Sequence, residues 1–367
     1  MSSRQPVSRG VLTWLWLTSA LLLTMIGLGG LTRLTGSGLS IVRWEPIIGA
    51  LPPLNADDWE RVFALYRASP QFQWVNSDMT VEGFKGIFWL EYFHRLLGRS
   101  IGLVVFLPLL TFWWTKRLPR RRALVLLGIF SLGGLQGLVG WLMVKSGLND
   151  LPQVSHYRLT LHLGLGFLLF ALVLWQALDL SFGRHRERAV DPRVSRRATL
   201  GLLALLSVTI AMGALVAGLK AGQAFPTFPK MAGYWLPPGL IAVEPLWRNF
   251  VDNAVTVHFQ HRLLASAVLV YVIVLVVRAW RAGSRIRGPL GLMLSAALVQ
   301  YGLGIATVLL GVPVWAAAVH QINAALLLAS VLNVLHVLLA HRRAKQPRPG
   351  GMASTPSLAS ERTAPTM

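Results

Sequence analysis

The chain contains no cysteine, so disulfides, thiolate metal sites and thiol nucleophiles are all excluded. Acidic residues are scarce: 14 Asp and Glu stand against 35 Lys and Arg, for a net charge of +21. Charged residues of either sign make up only 13% of the 367 residues, whereas a soluble domain carries roughly 25%. That leaves too little charge to cover a water-facing surface. The 54% hydrophobic content and mean hydropathy of +0.55 point to lipid instead. The first apolar run is too long for a signal h-region and has no small-x-small cleavage pattern, and no Arg/Ser-rich transit peptide precedes it. Both features favour a bacterial cytoplasmic (inner) membrane over an organelle.

Eight apolar segments are present, near 11–34, 86–115, 123–145, 158–181, 199–221, 253–279, 288–311 and 315–340. Each is about the 20 residues a helix needs to cross ~30 Å of hydrocarbon. The fold class is therefore an all-α polytopic membrane protein with eight transmembrane helices. A net charge of this size can mark a nucleic-acid binder, but its placement here argues against one. Arg4, Arg9, KRLPRRR (116–122), the stretch 183–197, RAWRAGSRIR (278–287) and the tail from Arg342 collect 22 of the 35 basic residues on one side. The loops 35–85, 146–157 and 222–252 on the other side hold nine of the 14 acidic ones. By the positive-inside rule both termini are cytoplasmic, which eight crossings also require. The tail 344–367 is rich in Pro, Ser, Thr and Gly and reads as disordered.

The two halves resemble each other. GGLTRLTGSG (29–38) answers to GALVAGLKAG (213–222), so that Gly29 and Gly38 fall on Gly213 and Gly222. LPP recurs at 51–53 and 236–238, and FHRLL (93–97) matches QHRLL (260–264). Gln136, Gly140 and His162 correspond to Gln300, Gly304 and His320. Four helices per half give both halves the same orientation, so the repeat is parallel, about an axis along the membrane normal. The expected architecture is two pseudo-symmetric four-helix bundles, 11–181 and 199–340. Cofactor sites in such bundles form between facing helices.

Depth sorts the nine histidines. His94 and His261 lie about eight residues, roughly 12 Å, below the outer ends of their helices. His162 and His320 lie about five residues in. Four histidines thus share one layer, two per half, in repeat-related positions. Polar groups inside a membrane are expensive, which favours ligands over packing residues. Paired imidazoles without thiolates suit axial ligation of haem iron. Zinc would need further ligands, and only His258, one turn above His261, is near. Copper would call for methionines, of which Met143 has no counterpart in the other half. His156, His185, His336 and His341 fall outside the layer. The glycines of the third and seventh helices (Gly134, Gly137, Gly140, Gly302, Gly304) admit two explanations: close approach of a flat macrocycle, or tight helix packing.

The segment EYFHRLLGRS (91–100) carries the chemistry. Glu91 shares a face with His94 at i,i+3, and its counterpart in the second half is His258. Either Glu91 simply neutralises Arg95 at i,i+4, or Arg95 and Arg262 meet haem propionates and leave Glu91 free to manage protons. One half looks equipped for chemistry and the other for holding a cofactor.

MTVEGFKGIFWLEYFHR (79–95), GGLTRLTGSGLS (29–40), LQGLVGWLMVKSGL (135–148) and HFQHR (258–262) resemble the haem A synthase family over essentially residues 11–340. The missing cysteine pair resembles its proteobacterial and mitochondrial branch. The resemblance implies oxidation of the C8 methyl group of haem O to the formyl group of haem A, for cytochrome oxidase assembly. It implies that His261 and His320 ligate a resident haem b, that His94 and His162 hold the haem O substrate, and that Glu91 is the catalytic carboxylate. Arg95, Arg262 and His258 are then propionate or supporting residues. Partners in this reading are haem O, a haem O synthase, an electron donor, membrane lipid and a second copy of the chain. NADDWERVFALYR (55–67) puts Trp59, Val62, Phe63 and Tyr66 on one helical face, as a lid or as plain packing. Two rivals stand beside this reading: a dihaem b-type membrane electron carrier or quinol oxidoreductase, and a transporter built on parallel repeats.

Overall fold

The computed structural model describes residues 8–43, 45, 48–149, 152–182 and 194–340. The tail 344–367 lies outside them, as do His185 and His341. The described residues form twelve α-helices: α1 (Arg9–Leu34), α2 (Ala56–Arg67), α3 (Pro70–Val75), α4 (Val81–Trp114), α5 (Arg120–Ser146), α6 (His156–Phe182), α7 (Arg196–Gly218), α8 (Ala221–Ala224), α9 (Asn249–Asp252), α10 (Ala254–Arg281), α11 (Arg287–Leu309) and α12 (Val314–Ala340). Eight of them, α1, α4–α7 and α10–α12, are long and apolar enough to cross a membrane. A helix is the form such a segment takes in lipid, because it satisfies its own backbone groups. Their starts are fixed locally. Thr80, Ser195 and Asn253 cap α4, α7 and α10 through their side-chain oxygens, each accepting from an otherwise orphaned N–H.

Helix adjacency follows chain order. α1 packs on α4 and α6, and α5 packs on the same two, leaving α4 and α6 across from each other. In the same way α7 and α11 each pack on α10 and α12, which lie opposite one another. The two groups meet where α6 lies against α7 and α12, and α1 against α12. Apolar packing is concentrated toward the ends nearer the chain termini. There Leu15, Leu109, Leu126 and Val173 form one cluster, and Phe170, Leu202, Val272, Met293 and Val331 another. The four histidines lie toward the opposite end.

α4 runs for 34 residues, about 51 Å, well beyond the ~30 Å hydrocarbon thickness. Its first turns stand above the other helices and carry α2. Asn55 caps α2, and Asp57 and Asp58 occupy its first turn, where the helix dipole favours them. The apolar face foreseen for this helix is buried. Trp59, Phe63 and Tyr66 pack on Phe84 and Phe88 of α4, with the Tyr66 and Phe84 rings stacked at 5.0 Å. Packing on α4 is the role the structure gives that face.

At the same end, Asp252 of α9 ties the two groups together. It accepts from Tyr157, from His156 Nε2 at 2.9 Å and from Arg248 Nε at 2.7 Å. These bonds, that from Tyr157 foremost, hold its carboxyl below the usual carboxylate range.

Candidate functional site

Four glycines make room for four imidazoles. A Cβ added at Gly29 of α1 would lie 3.1 Å from His94 Cε1, and one at Gly140 of α5 only 2.7 Å from His162 Cε1. In the second half the same substitution at Gly213 of α7 would meet His261 Cε1 at 3.0 Å, and at Gly304 of α11 His320 Cε1 at 3.1 Å. Every histidine of the layer therefore presses its ring edge on a bare backbone of the neighbouring helix. The glycines expected to serve macrocycle or helix packing divide accordingly. Gly140 and Gly304 cradle imidazoles, whereas Cβ atoms at Gly134, Gly137 and Gly302 would meet nothing within 4 Å. Close helix packing is thus not the reason for the latter three.

The ring nitrogens are held unevenly. His261 Nδ1 faces the Thr209 carbonyl at 3.2 Å, which places the proton on Nδ1 and leaves the Nε2 lone pair available to a metal. Gln300 approaches His320 Nε2 at 3.2 Å and is itself oriented by Asn323, whose amide donates to Gln300 Oε1 at 2.9 Å. Gln136, the counterpart of Gln300, donates to the His162 carbonyl at 2.9 Å. Nδ1 of His94, His162 and His320 is buried without a hydrogen-bond partner. Orphaned buried imidazole nitrogens carry a desolvation cost that ligation or a further hydrogen bond removes. Among the described residues no three His, Asp or Glu side chains group closely enough to hold a metal ion by themselves. A porphyrin iron would need only two imidazoles from the protein, which the histidine pair of each half could offer.

One turn outward on α4, Glu91 is 2% exposed and fully engaged. Oε1 accepts from Arg95 Nε at 2.9 Å, while Oε2 accepts from Ser40 Oγ at 2.6 Å and from the Ile41 amide at 2.8 Å. Arg95 completes the grip on the incoming chain, donating from Nη2 to the Ile41 carbonyl (2.8 Å) and from Nη1 to the Arg43 carbonyl (3.3 Å). The second half repeats this atom for atom. Arg262 Nε donates to His258 Nε2 (3.1 Å), Nη2 to the Phe225 carbonyl (2.9 Å) and Nη1 to the Thr227 carbonyl (2.7 Å). Phe225 and Thr227 are the repeat counterparts of Ile41 and Arg43. Both arginines are thus clamps on the strand of chain that follows α1 or α7, with every guanidinium nitrogen committed to protein. Of the two roles the sequence left open for Arg95, neutralising Glu91 is the one seen.

What differs between the halves is chemical. Glu91 is replaced by His258, which is buried, and Ser40 by Ala224, so the carboxylate and its hydroxyl donor occur together in the first half alone. Sequence reasoning missed Ser40 and Ile41, although Ser40 closes the motif GGLTRLTGSGLS. It missed Gln321 too. That side chain, next to His320, fills the space above Gly30, 2.9 Å from where a Cβ would stand, and donates to the Ile26 carbonyl at 2.6 Å.

Residues 12–332 match the family model COX15-CtaA, cytochrome oxidase assembly protein. The chain is 47% identical over 329 residues to a heme A synthase of Nitrosomonas eutropha, covering 89% of this chain and 92% of that protein. It is 48% identical over 335 residues to one from Nitrosospira multiformis, covering 90% and 94%, and 47% identical over 343 residues to one from Beijerinckia indica, covering 90% and 93%. With a family model spanning nearly all of the helical part and relatives this similar over more than nine-tenths of their length, the chain belongs to the COX15-CtaA family of cytochrome oxidase assembly proteins.

Proposed function

We propose that the protein is a haem A synthase of the bacterial cytoplasmic membrane, with both termini cytoplasmic, oxidising the C8 methyl group of haem O to the formyl group of haem A. The two helix groups, 11–181 and 199–340, act as pseudo-symmetric bundles with one porphyrin site each. His94 and His162 hold the haem O substrate, and His261 and His320 hold a haem b. The supporting observation is the asymmetry within a repeated frame: four matched glycine cradles and two matched arginine clamps, with a carboxylate beside only one histidine pair.

When bound, haem iron supplies the one-electron chemistry that amino-acid side chains cannot. The residues supply position and charge. The glycine cradles fix the imidazole planes. The Thr209 carbonyl sets the tautomer of His261. Glu91, pinned by Ser40, Ile41 and Arg95, is a negative charge at a fixed place one turn from His94. There it stabilises positive charge building on the substrate methyl carbon.

Co-expression with a haem O synthase, followed by chromatography of the extracted haems, tests this function. The reading requires haem A or its hydroxylated intermediate. Only haem O and haem b from cells making the wild-type protein would refute it. The dihaem carrier predicts haem b alone and an unaffected Glu91→Gln variant, and the transporter predicts a colourless protein. Neither gives the buried carboxylate of one half a task.

A further inference from the structure

Because Arg95 is fully committed to Glu91 and two loop carbonyls, some other group must meet the anionic edge of whatever His94 and His162 hold. Four arginines of the spanning helices bond to backbone carbonyls: Arg95, Arg99 to Glu45 at 3.1 Å, Arg158 to Leu142 at 2.6 Å, and Arg262. Arg33, in the last turn of α1, is the exception. It is partly buried, and among the described residues no side chain or carbonyl bonds or pairs with its guanidinium. An unpaired charge within a membrane helix is costly, and such residues mark sites.

Its position says which site. Arg33 follows Gly29 by four residues, hence on the same face one turn outward. Side chains on a helix lean toward its N-terminus, which directs the Arg33 side chain toward the turn that contains Gly29, the residue whose bare backbone cradles the His94 ring. The repeat sharpens the point, since Arg33 falls on Ala217 in the second half. The cation, like Glu91 and Ser40, belongs to the first site alone.

We infer that Arg33 binds a carboxylate of the molecule held between His94 and His162, a porphyrin propionate, by the paired N–H···O geometry that guanidinium offers carboxylates. This rests on the assignment of that histidine pair to a porphyrin, made above. It moves propionate recognition from the motif arginine Arg95 to the end of α1.

The test uses purified full-length protein titrated with haem b and with haem b dimethyl ester, following the absorbance change that His94→Ala abolishes. Wild-type protein should bind the free acid about 10- to 100-fold tighter than the ester, as a charge-assisted pair implies. Arg33→Gln should bind both alike, at the affinity of the ester, and Arg33→Lys should keep part of the preference. Should Arg33→Gln fail to fold, Arg33→Lys takes its place, and a preference in it equal to that of wild type counts against the inference. No preference for the acid in wild-type protein, or a preference unchanged in Arg33→Gln, would overturn the inference and leave the guanidinium to phosphates of the outer leaflet. If His94→Ala alters no binding signal, the porphyrin assignment itself falls, and this proposal with it.

Discussion

Replacing Gly140 by Ala adds a single carbon, and the structure says where it goes. The new Cβ would stand 2.7 Å from His162 Cε1, 3.2 Å from Nδ1 and 3.4 Å from Nε2, when ordinary contacts begin at 3.4 Å. The ring must therefore retreat by about 0.7 Å. It cannot do so by sliding α6 freely, because Gln136 holds the His162 carbonyl at 2.9 Å. Overpacking of this kind costs about 1–3 kcal/mol, a fraction of the ~5–15 kcal/mol that holds a domain together, so the protein folds. Metal–ligand distances, in contrast, tolerate only ~0.2 Å. Gly140→Ala should accordingly empty the first site while sparing the second. Cells co-expressing a haem O synthase should accumulate haem O, and the purified variant should keep the haem b of His261 and His320. Gly137→Ala, one turn away with nothing within 4 Å of its Cβ, should behave as wild type. Normal haem A production by Gly140→Ala, or equal damage from Gly137→Ala, would refute the cradle argument.

Glu91→Gln should abolish haem A formation with haem O retained, and should lower the Tm by several degrees, because Arg95 loses its counter-charge in a buried setting; product formation at wild-type rate would contradict the role given to this carboxylate. Ser40→Ala removes one of the donors to Glu91 Oε2 while leaving the Ile41 amide in place, and should slow oxidation about 10-fold at unchanged substrate affinity, with Ser40→Thr restoring most of the rate; a loss of affinity alone would count against it. The link through Asp252 should respond to acid. Its carboxyl is held below the usual range, so its contribution is complete above the unfolded value near pH ~4 and is lost as pH falls through the folded one. The Tm measured against pH should show that loss in wild-type protein, whereas Asp252→Asn should be about 1–2 kcal/mol less stable at neutral pH and flatter below pH 4.

Most of this architecture was legible because lipid leaves a chain so few options. An apolar run of some 20 residues has to be a helix, and the run at 158–181 became α6, His156–Phe182. α4 was the least well delimited. Its expected start near 86 missed the turn from Val81, because the added residues are half polar and interrupt the apolar run, while the Thr80 cap fixes the start. The histidine layer could be read from depth and repetition, both of which are one-dimensional. The partners of Glu91 could not: Ser40 and Ile41 sit some 50 residues away, and a loop carbonyl meeting a guanidinium leaves no periodic trace. The glycines lay between these cases. Gly29 and Gly213 were visible as repeat markers, but only the neighbouring helix shows that each gives way to an imidazole.

Gly29 and Gly30 are successive residues of α1 that meet different helices, one against His94 of α4 and the other against Gln321 of α12, the residue adjoining His320. The two proposed porphyrin sites would therefore be separated by two peptide links and two touching surfaces. A methyl group at Gly29 would press on His94 and one at Gly30 on Gln321, so this dipeptide leaves no room for a side chain on either of its two faces.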